Sequence, residues 1–506
     1  MADESTKATP QEASSAEAPR HPYASVPANV ARGVPNPASA RLSWTDGERT
    51  IDYVSTAAHL DVRDDSGRLE GKMFSLSYVA VDGEGQADAA RPVTFAYNGG
   101  PGSASVPINF GGIGPRRVET DGTSHLAASA RATDNPHTLL KDSDLVFLDA
   151  LGTGWSVVAD GCDPATAFSV DGDADAFARA IMDWLEKNHR WSSPIYLFGE
   201  SYGTFRNAVL MRLLGERSVK LTGVVMLSAI WDWVQTLPGE DLYYLGMMPT
   251  YAAAAQFFGR AGAGVDPDEW FDRAMDFAED VLAPALLRGD RLGAERERDV
   301  ARQLSEFVGL SAGFLARRHL RVGLTEFRRR LLCDEGRVCG RLDMRFCSDE
   351  PSPMQESLDW LGGEDAADDA VEASWTNAFR AFCSDELGYE GPSVYLGQNW
   401  EHVGHTWVWQ HEVPGTGEKV GAPNVAGDVA LAMRRNPTMK LAIIGGRYDA
   451  ATTFWNVRHD LSCQFLSPAL KERVTWLRYG CGHMAYVDEP TLAAMDRDIH
   501  GFYERA

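Results

Sequence analysis

The stretch SSPIYLFGESYGTFRNAVLMRLL, Ser192–Leu214, sets a serine between two glycines where one kind of text gives way to another. The apolar run IYLF reads as a buried strand, and FRNAVLMRLL carries the spacing of a helix. Gly199–Gly203, GESYG, fits the pattern G-x-S-x-G, in which a strand turns abruptly into a helix and holds its serine in a strained conformation. Small residues flank the serine because a Cβ there would collide with the neighbouring strand and helix. The hydroxyl is then lifted above the sheet, within reach of a base and a substrate. The competing reading is an ordinary strand-to-helix turn whose serine caps the helix.

Similar strand text recurs in MFSLSYVAV from Met73, VTFAY from Val93, LVFL from Leu145, GVVMLS from Gly223, LAII from Leu441 and VTWL from Val474. The later runs are almost uniformly apolar, as strands covered on both faces should be. Helical text lies between them, notably DADAFARAIMDWLEKNH from Asp173. This alternation predicts an α/β fold, a mostly parallel central sheet flanked by helices. RTIDYVSTAAHLDVRDDSGRLEGKMFSLSYVAV reads as antiparallel strands at one edge. From Trp233 to Leu387 the text is helical, with apolar residues three and four apart, and it predicts an inserted helical cap. The expected organisation is a disordered tail over 1–35, core over 36–232, cap over 233–387 and core again over 388–506. The acidic stretch GGEDAADDAVEAS within the cap is expected to be solvated.

The chain has 506 residues and a formal charge of −24, which repels phosphate backbones and anionic membranes. No nucleic-acid or membrane partner is therefore expected, and a homodimer is compatible with the composition. The first residues lack the basic and apolar regions of a secretory signal, and no run approaches the roughly 18 apolar residues of a membrane span. Seven scattered cysteines suit free thiols in a reducing cytoplasm. Cys333, Cys339 and Cys347 lack the paired spacing of structural zinc. His402, His405 and His411 are interrupted by Gly404 and read as surface loop residues. No metal or cofactor is predicted.

A serine hydroxyl is a poor nucleophile near neutral pH and needs a base, itself oriented by a carboxylate. LAIIGGRYDAATTF ends a strand in a loop bearing Asp449, and VTWLRYGCGHMAY ends the next in a glycine-lined loop bearing His483. Both positions lie at strand C-terminal ends, where parallel sheets assemble their sites. His459, in helical text, and His500, near the C-terminus, are less well placed. FAYNGGPGSAS supplies a glycine-rich loop for an oxyanion, with backbone donors expected from Gly100 and Tyr202. A phosphate loop is the other reading of these glycines, but no G-K-[ST] follows.

Together, YNGGPGSAS, LVFLDALGTGWS, GESYG, GGRYDAATTF and GCGHM resemble, in order, five motifs of the serine carboxypeptidase family, the S10 peptidases, with wording closest to bacterial members. The resemblance implies an α/β-hydrolase fold with Ser201 as nucleophile, His483 as base and then acid, and Asp449 as orienting carboxylate. It also implies that Asn98 and Glu200 hold a peptide's terminal carboxylate, which requires Glu200 to be protonated. Familiar relatives carry a second glutamate where this chain has Gly112, so Arg116, Arg117 and Arg206 are considered as alternative cations. A cysteine of the family motif is Ser103 here, and its disulfide cannot form. The implied activity is removal of a C-terminal residue from a peptide through an acyl-enzyme. Acyl transfer or ester hydrolysis by the same triad is the second reading, and a catalytically dead binding protein the third.

Overall fold

The computed structural model describes residues 33–122, 126, 131–349 and 365–504. The tail expected over 1–35 lies almost wholly outside them. The architecture is built on one sheet. Its strands in chain order are β1 (Ala38–Thr45), β2 (Thr50–Arg63), β3 (Leu69–Ala80), β4 (Val93–Tyr97), β5 (Asp144–Leu148), β6 (Val157–Val158), β7 (Ile195–Glu200), β8 (Leu221–Leu227), β9 (Lys440–Gly446) and β10 (Val474–Tyr479). The spatial order is β1-β2-β3-β5-β4-β7-β8-β9-β10, with the short β6 beside β3. The first three strands and the β3–β5 pair are antiparallel, and every pair from β5 to β10 is parallel.

The side-chain period of two sorts the central strands between two cores. Ile195 and Leu197, Val224 and Met226, and Leu441 and Ile443 enter one face of the sheet, whereas Tyr196 and Phe198, Val225 and Leu227, and Ala442 and Ile444 enter the other. Helices α1 (Val170–Lys187), α2 (Tyr202–Glu216), α8 (Ala426–Arg435) and α9 (Phe454–Ser462) cover the first face through residues such as Phe177, Val209, Val429 and Val457. The second is covered by α10 (Glu489–Glu504) and by α7 (Glu372–Ala381), which contributes Trp375 and Phe379.

Between β8 and β9 the chain forms a third apolar cluster of its own. It is built by α3 (Asp241–Phe257), α4 (Pro267–Phe277), α5 (Ala294–Val308) and α6 (Leu324–Leu331), with Tyr251 stacked on Phe327 at 3.8 Å. The helical text therefore divides in its packing. Residues from 241 to 332 make the cap, whereas α7 lies on the sheet. The described part of the acidic stretch departs from the solvated expectation, because Ala366, Ala367, Ala370 and Val371 pack into the second core. Their burial holds Asp368 in an apolar setting beside Glu372 and pushes its carboxyl up to about 8. Among the described residues no helix is long and apolar enough to cross a membrane.

Candidate active site

The turn after β7 takes the form the sequence predicts. Ser201 has φ 59° and ψ −129°, a region that costs a non-glycine residue strain, and its side chain makes no capping hydrogen bond to α2. The helix-cap reading is thereby set aside. A Cβ on Gly199 would lie 2.4 Å from the Gly203 carbonyl oxygen, so the strand and helix can approach only with glycine there. The elbow is fastened from both sides: Ser201 N–H donates to Leu227 O at 3.0 Å, and Thr204 N–H donates to Ser201 O at 2.8 Å.

Asp449 and His483 come together at the ends of β9 and β10. His483 Nδ1 is 2.9 Å from Asp449 Oδ2. The carboxylate is fully buried and accepts further bonds from the Ala451 and Thr452 amides and from Thr452 Oγ1 at 2.8, 3.0 and 2.7 Å. Thr452 Oγ1 also stands 3.1 Å from His483 Nδ1, locking the ring to the carboxylate. Burial opposes a charge on His483, but the Asp449 carboxylate outweighs it and raises the imidazole above its ordinary 6.5.

The histidine loop is tied to β8, the strand beside the one that carries the elbow, because Ser228 Oγ donates to His483 O at 2.6 Å, one residue after the carbonyl that holds Ser201. Neither Ser201 Oγ nor His483 Nε2 makes a hydrogen bond among the described residues. This contact is commonly loose in an unliganded site and tightens when substrate arrives.

The loop after β4 packs on the start of α2. A Cβ on Gly99 would lie 2.4 Å from Tyr202 N and 2.6 Å from Gly203 N, so the glycine-rich loop meets the helix backbone directly. Gly100, Ser201 and Tyr202 share the wall of one cavity of about 1050 Å³, roofed by residues of the insertion that include Tyr243, Met247 and Arg341. Asp149, in DALGTG, holds this loop by accepting from Ser105 N–H at 2.8 Å, and Tyr395 OH donates to it at 3.0 Å.

Asn98 and Glu200 are buried behind the cavity wall and do not line it. Asn98 Oδ1 accepts from Ile108 N–H at 2.9 Å, and Tyr486 OH donates to Glu200 Oε2 at 2.8 Å. Burial dominates the carboxyl of Glu200 and, against the opposing pull of His483, Tyr486 and Asn98, moves it from 4.5 to about 7. Gly112 explains the missing second glutamate in structural terms: a Cβ there would meet the Tyr486 ring at 3.1 Å. The tyrosine uses the space that Gly112 leaves, and its hydroxyl becomes the neighbour of Glu200.

The three arginines considered as carboxylate-binding cations are committed elsewhere. Arg206 is buried, with Nε 2.6 Å from Asp173 Oδ2 and Nη1 donating to Asn98 O at 2.9 Å. Arg117 pairs with Glu489, and Arg116 with Asp134 at 2.7 Å. His411 also departs from the surface reading. It is buried between Asp171 (2.6 Å) and Asp428 (3.0 Å), whose charges overcome burial and raise it to about 9, whereas His402 and His405 are exposed. Cys339 and Cys347 face each other across a short hairpin as free thiols.

Several residues of the site carried no readable signal. Thr452, Tyr486 and Ser228 are ordinary polar residues in the sequence. Arg341 and Leu342, in the stretch GRLDMRF of the insertion, join the Asp449 and His483 loops: Leu342 O accepts from His483 N–H at 2.7 Å and Arg341 O from Ala450 N–H at 3.1 Å.

A strained serine elbow after a central parallel strand, with an Asp–His pair at the ends of the next strands in the order Ser, Asp, His, defines an α/β-hydrolase. Residues 55–237 match the family model described as serine carboxypeptidase. Serine carboxypeptidase-like 50 of Arabidopsis thaliana is 30% identical over 169 residues, 31% of this chain and 35% of the relative. Pheromone-processing carboxypeptidase KEX1 of Saccharomyces cerevisiae (strain JAY291) is 30% identical over 172 residues, 30% of this chain and 22% of the relative. The matches thus span about a third or less of these curated relatives. The crystal structure of KEX1(delta)p, a prohormone-processing carboxypeptidase from the same yeast, superposes with a TM-score of 0.54 at 13% identity, over 90% of this chain and 91% of that one. That likeness concerns the fold.

Proposed function

We propose that this protein is a serine carboxypeptidase that removes one C-terminal residue from a peptide through an acyl-enzyme on Ser201. The observation that carries the reading is the 2.9 Å contact between Asp449 and His483, which follow β9 and β10 at the same C-terminal edge of the parallel sheet as the strained serine elbow after β7. Ser201 Oγ attacks the scissile carbonyl carbon and its proton passes to His483 Nε2. Asp449 stabilises the imidazolium and fixes its tautomer. The carbonyl oxygen, now carrying the negative charge, faces the backbone N–H groups of Tyr202 and Gly100.

Collapse of the tetrahedral species breaks the C–N bond, with the His483 proton going to the departing amine. A water then attacks the ester carbonyl, giving a proton to His483 and restoring Ser201 as the acid product leaves. Glu200 and Asn98 are assigned to the terminal carboxylate of the departing residue. With its carboxyl at about 7, Glu200 is protonated in a large fraction of molecules at neutral pH and can donate to that carboxylate. Tyr486 takes the place of a second acidic partner.

Digestion of a peptide library, followed by mass spectrometry, tests the reading. The expected products are peptides shortened by one C-terminal residue, with amidated counterparts intact and Ser201 labelled by a fluorophosphonate. Absence of a Ser201 adduct, internal cleavage or indifference to C-terminal amidation would overturn it. Conjugates formed with an added amine or alcohol in place of shortened peptides would point to acyl transfer.

A further inference from the structure

The cavity that exposes Ser201 also exposes hydrogen-bond acceptors with nothing to accept from. Asp232 and Asp460 stand on its wall with Gln235 between them. Asp232 Oδ1 accepts from Val234 N–H at 2.9 Å, and its Oδ2 from Asn424 Nδ2 at 3.0 Å and from Gln235 Nε2 at 3.3 Å. Gln235 Nε2 donates to Asp460 Oδ1 as well. With its NH₂ end turned toward both aspartates, the Gln235 amide has its Oε1 left over. That atom is buried without a partner, as is Thr453 Oγ1 on the same wall, each side chain being 2% exposed. Asp460 Oδ2 accepts no hydrogen bond, and no Lys, Arg or His pairs with either aspartate among the described residues.

Buried acceptors left unmatched are costly, and two carboxyl groups sharing a site without a cation are more so. Burial and the charge of Asp232 together push Asp460 up to about 8. Three of the arginines on the same cavity have partners of their own. Arg318 and Arg330 share Glu326, and Arg328 donates to Cys339 O at 2.6 Å. The acceptor cluster therefore suits a ligand group with a positive charge and several N–H donors.

We propose that Asp232, Gln235 and Asp460 form a subsite for a cationic side chain of the substrate, an ammonium or guanidinium on the acyl side of the scissile bond. The assignment to the acyl side rests on the carboxypeptidase reading: Asn98 and Glu200, given to the departing residue, lie off this wall, and the cavity is left to the rest of the peptide. Gln235 Oε1 and Asp460 Oδ2 accept from the incoming cation, and Asp460 gives up its proton as the cation arrives.

Two measurements test the subsite, one of them independent of turnover. Blocked dipeptides with arginine or citrulline, and with lysine or norleucine, at the acyl-side position are compared by kcat/KM. The cationic member is expected to be favoured at least tenfold, and the preference to fall tenfold or more in Asp460→Asn and in Asp232→Asn. Asp460→Glu should recover part of it. In the second measurement, n-butylguanidinium is titrated while the Tm is followed. The native protein should gain stability and Asp460→Asn should not. A cation-to-neutral ratio near one, a ratio retained in both variants, or an equal Tm response in native protein and Asp460→Asn overturns the subsite. If butylguanidinium binds through Asp460 while no peptide is shortened, the subsite stands and the peptidase reading falls.

Discussion

The backbone N–H of His483 donates to the carbonyl of Leu342, 2.7 Å away, so the histidine loop of the core is hydrogen-bonded to a segment of the insertion. Met344 N–H donates to Tyr448 O beside it, and Arg341 O accepts from Ala450 N–H, both at 3.1 Å. The stretch GRLDMRF is thus part of the frame that sets Asp449 against His483, in addition to roofing the cavity.

Arg345 anchors this frame. Its Nη2 is 2.7 Å from Asp343 Oδ2 and its Nη1 donates to Gly480 O at 2.9 Å, in the histidine loop. Arg345→Ala leaves Asp343 buried without its counter-charge and should cost about 3–5 kcal/mol of stability. A chemical-denaturation curve checks this, and kcat should fall as the histidine loop loosens. The double variant Asp343→Asn/Arg345→Met, which removes both charges, should recover much of the stability.

Ser201→Ala should lower kcat by about a millionfold if the triad acts as a unit. Ser201→Gly should be equally inactive yet about 1 kcal/mol more stable than Ser201→Ala, because glycine accepts the φ of 59° without strain. Thermal melts of the two variants provide the comparison. Equal stabilities would show that the elbow stores no strain.

Asp449→Asn keeps the volume of the side chain but removes the charge that stabilises imidazolium. The expected loss is about ten-thousandfold in kcat with KM little changed. Single-turnover acylation of a chromogenic ester measures the effect directly.

The pH response separates Glu200 from His483. The charge of Asp449 raises His483, so hydrolysis of an ester lacking a terminal carboxylate should increase as pH climbs through the imidazole's elevated pKa and then level off. Peptides with a free C-terminus should instead lose kcat/KM above about pH 7, where Glu200 gives up its proton. Glu200→Gln should remove that alkaline limb.

Stability carries the same signature. The folded protein holds the Glu200 proton up to about 7, whereas an unfolded chain releases it near 4.5. Folding stability therefore falls between those values as pH rises, and the penalty is complete above 7. Glu200→Gln should raise the Tm relative to native protein at pH 8 and have little effect at pH 4. Equal effects at both pH values would place the carboxyl in water.

The elements around the site were legible because each rests on local chemistry. IYLF and LAII are uniformly apolar, as interior strands of an alternating chain are, and the glycines two residues either side of the serine in GESYG mark a tight strand-to-helix turn. Asp449 and His483 stood out by following such strands into glycine-lined loops. The antiparallel edge could be read in the same way. His411 was misread because nothing near it in the sequence announces Asp171, whose carboxylate approaches only after α1 packs on the sheet.

The sequence by itself determined the alternation of strands and helices, the elbow and the glycine-lined strand ends that carry Asp449 and His483, since these follow from steric rules and periodicities that act over a few residues. Only the tertiary structure decided which distant groups share a space: Tyr486 beside Glu200 where Gly112 leaves room, Leu342 under His483, and Asp232 beside Asp460. Such pairings join residues more than a hundred positions apart, and the burial that sets the charge states of Glu200 and Asp460 exists only once the sheet, its helices and the cap have closed over them.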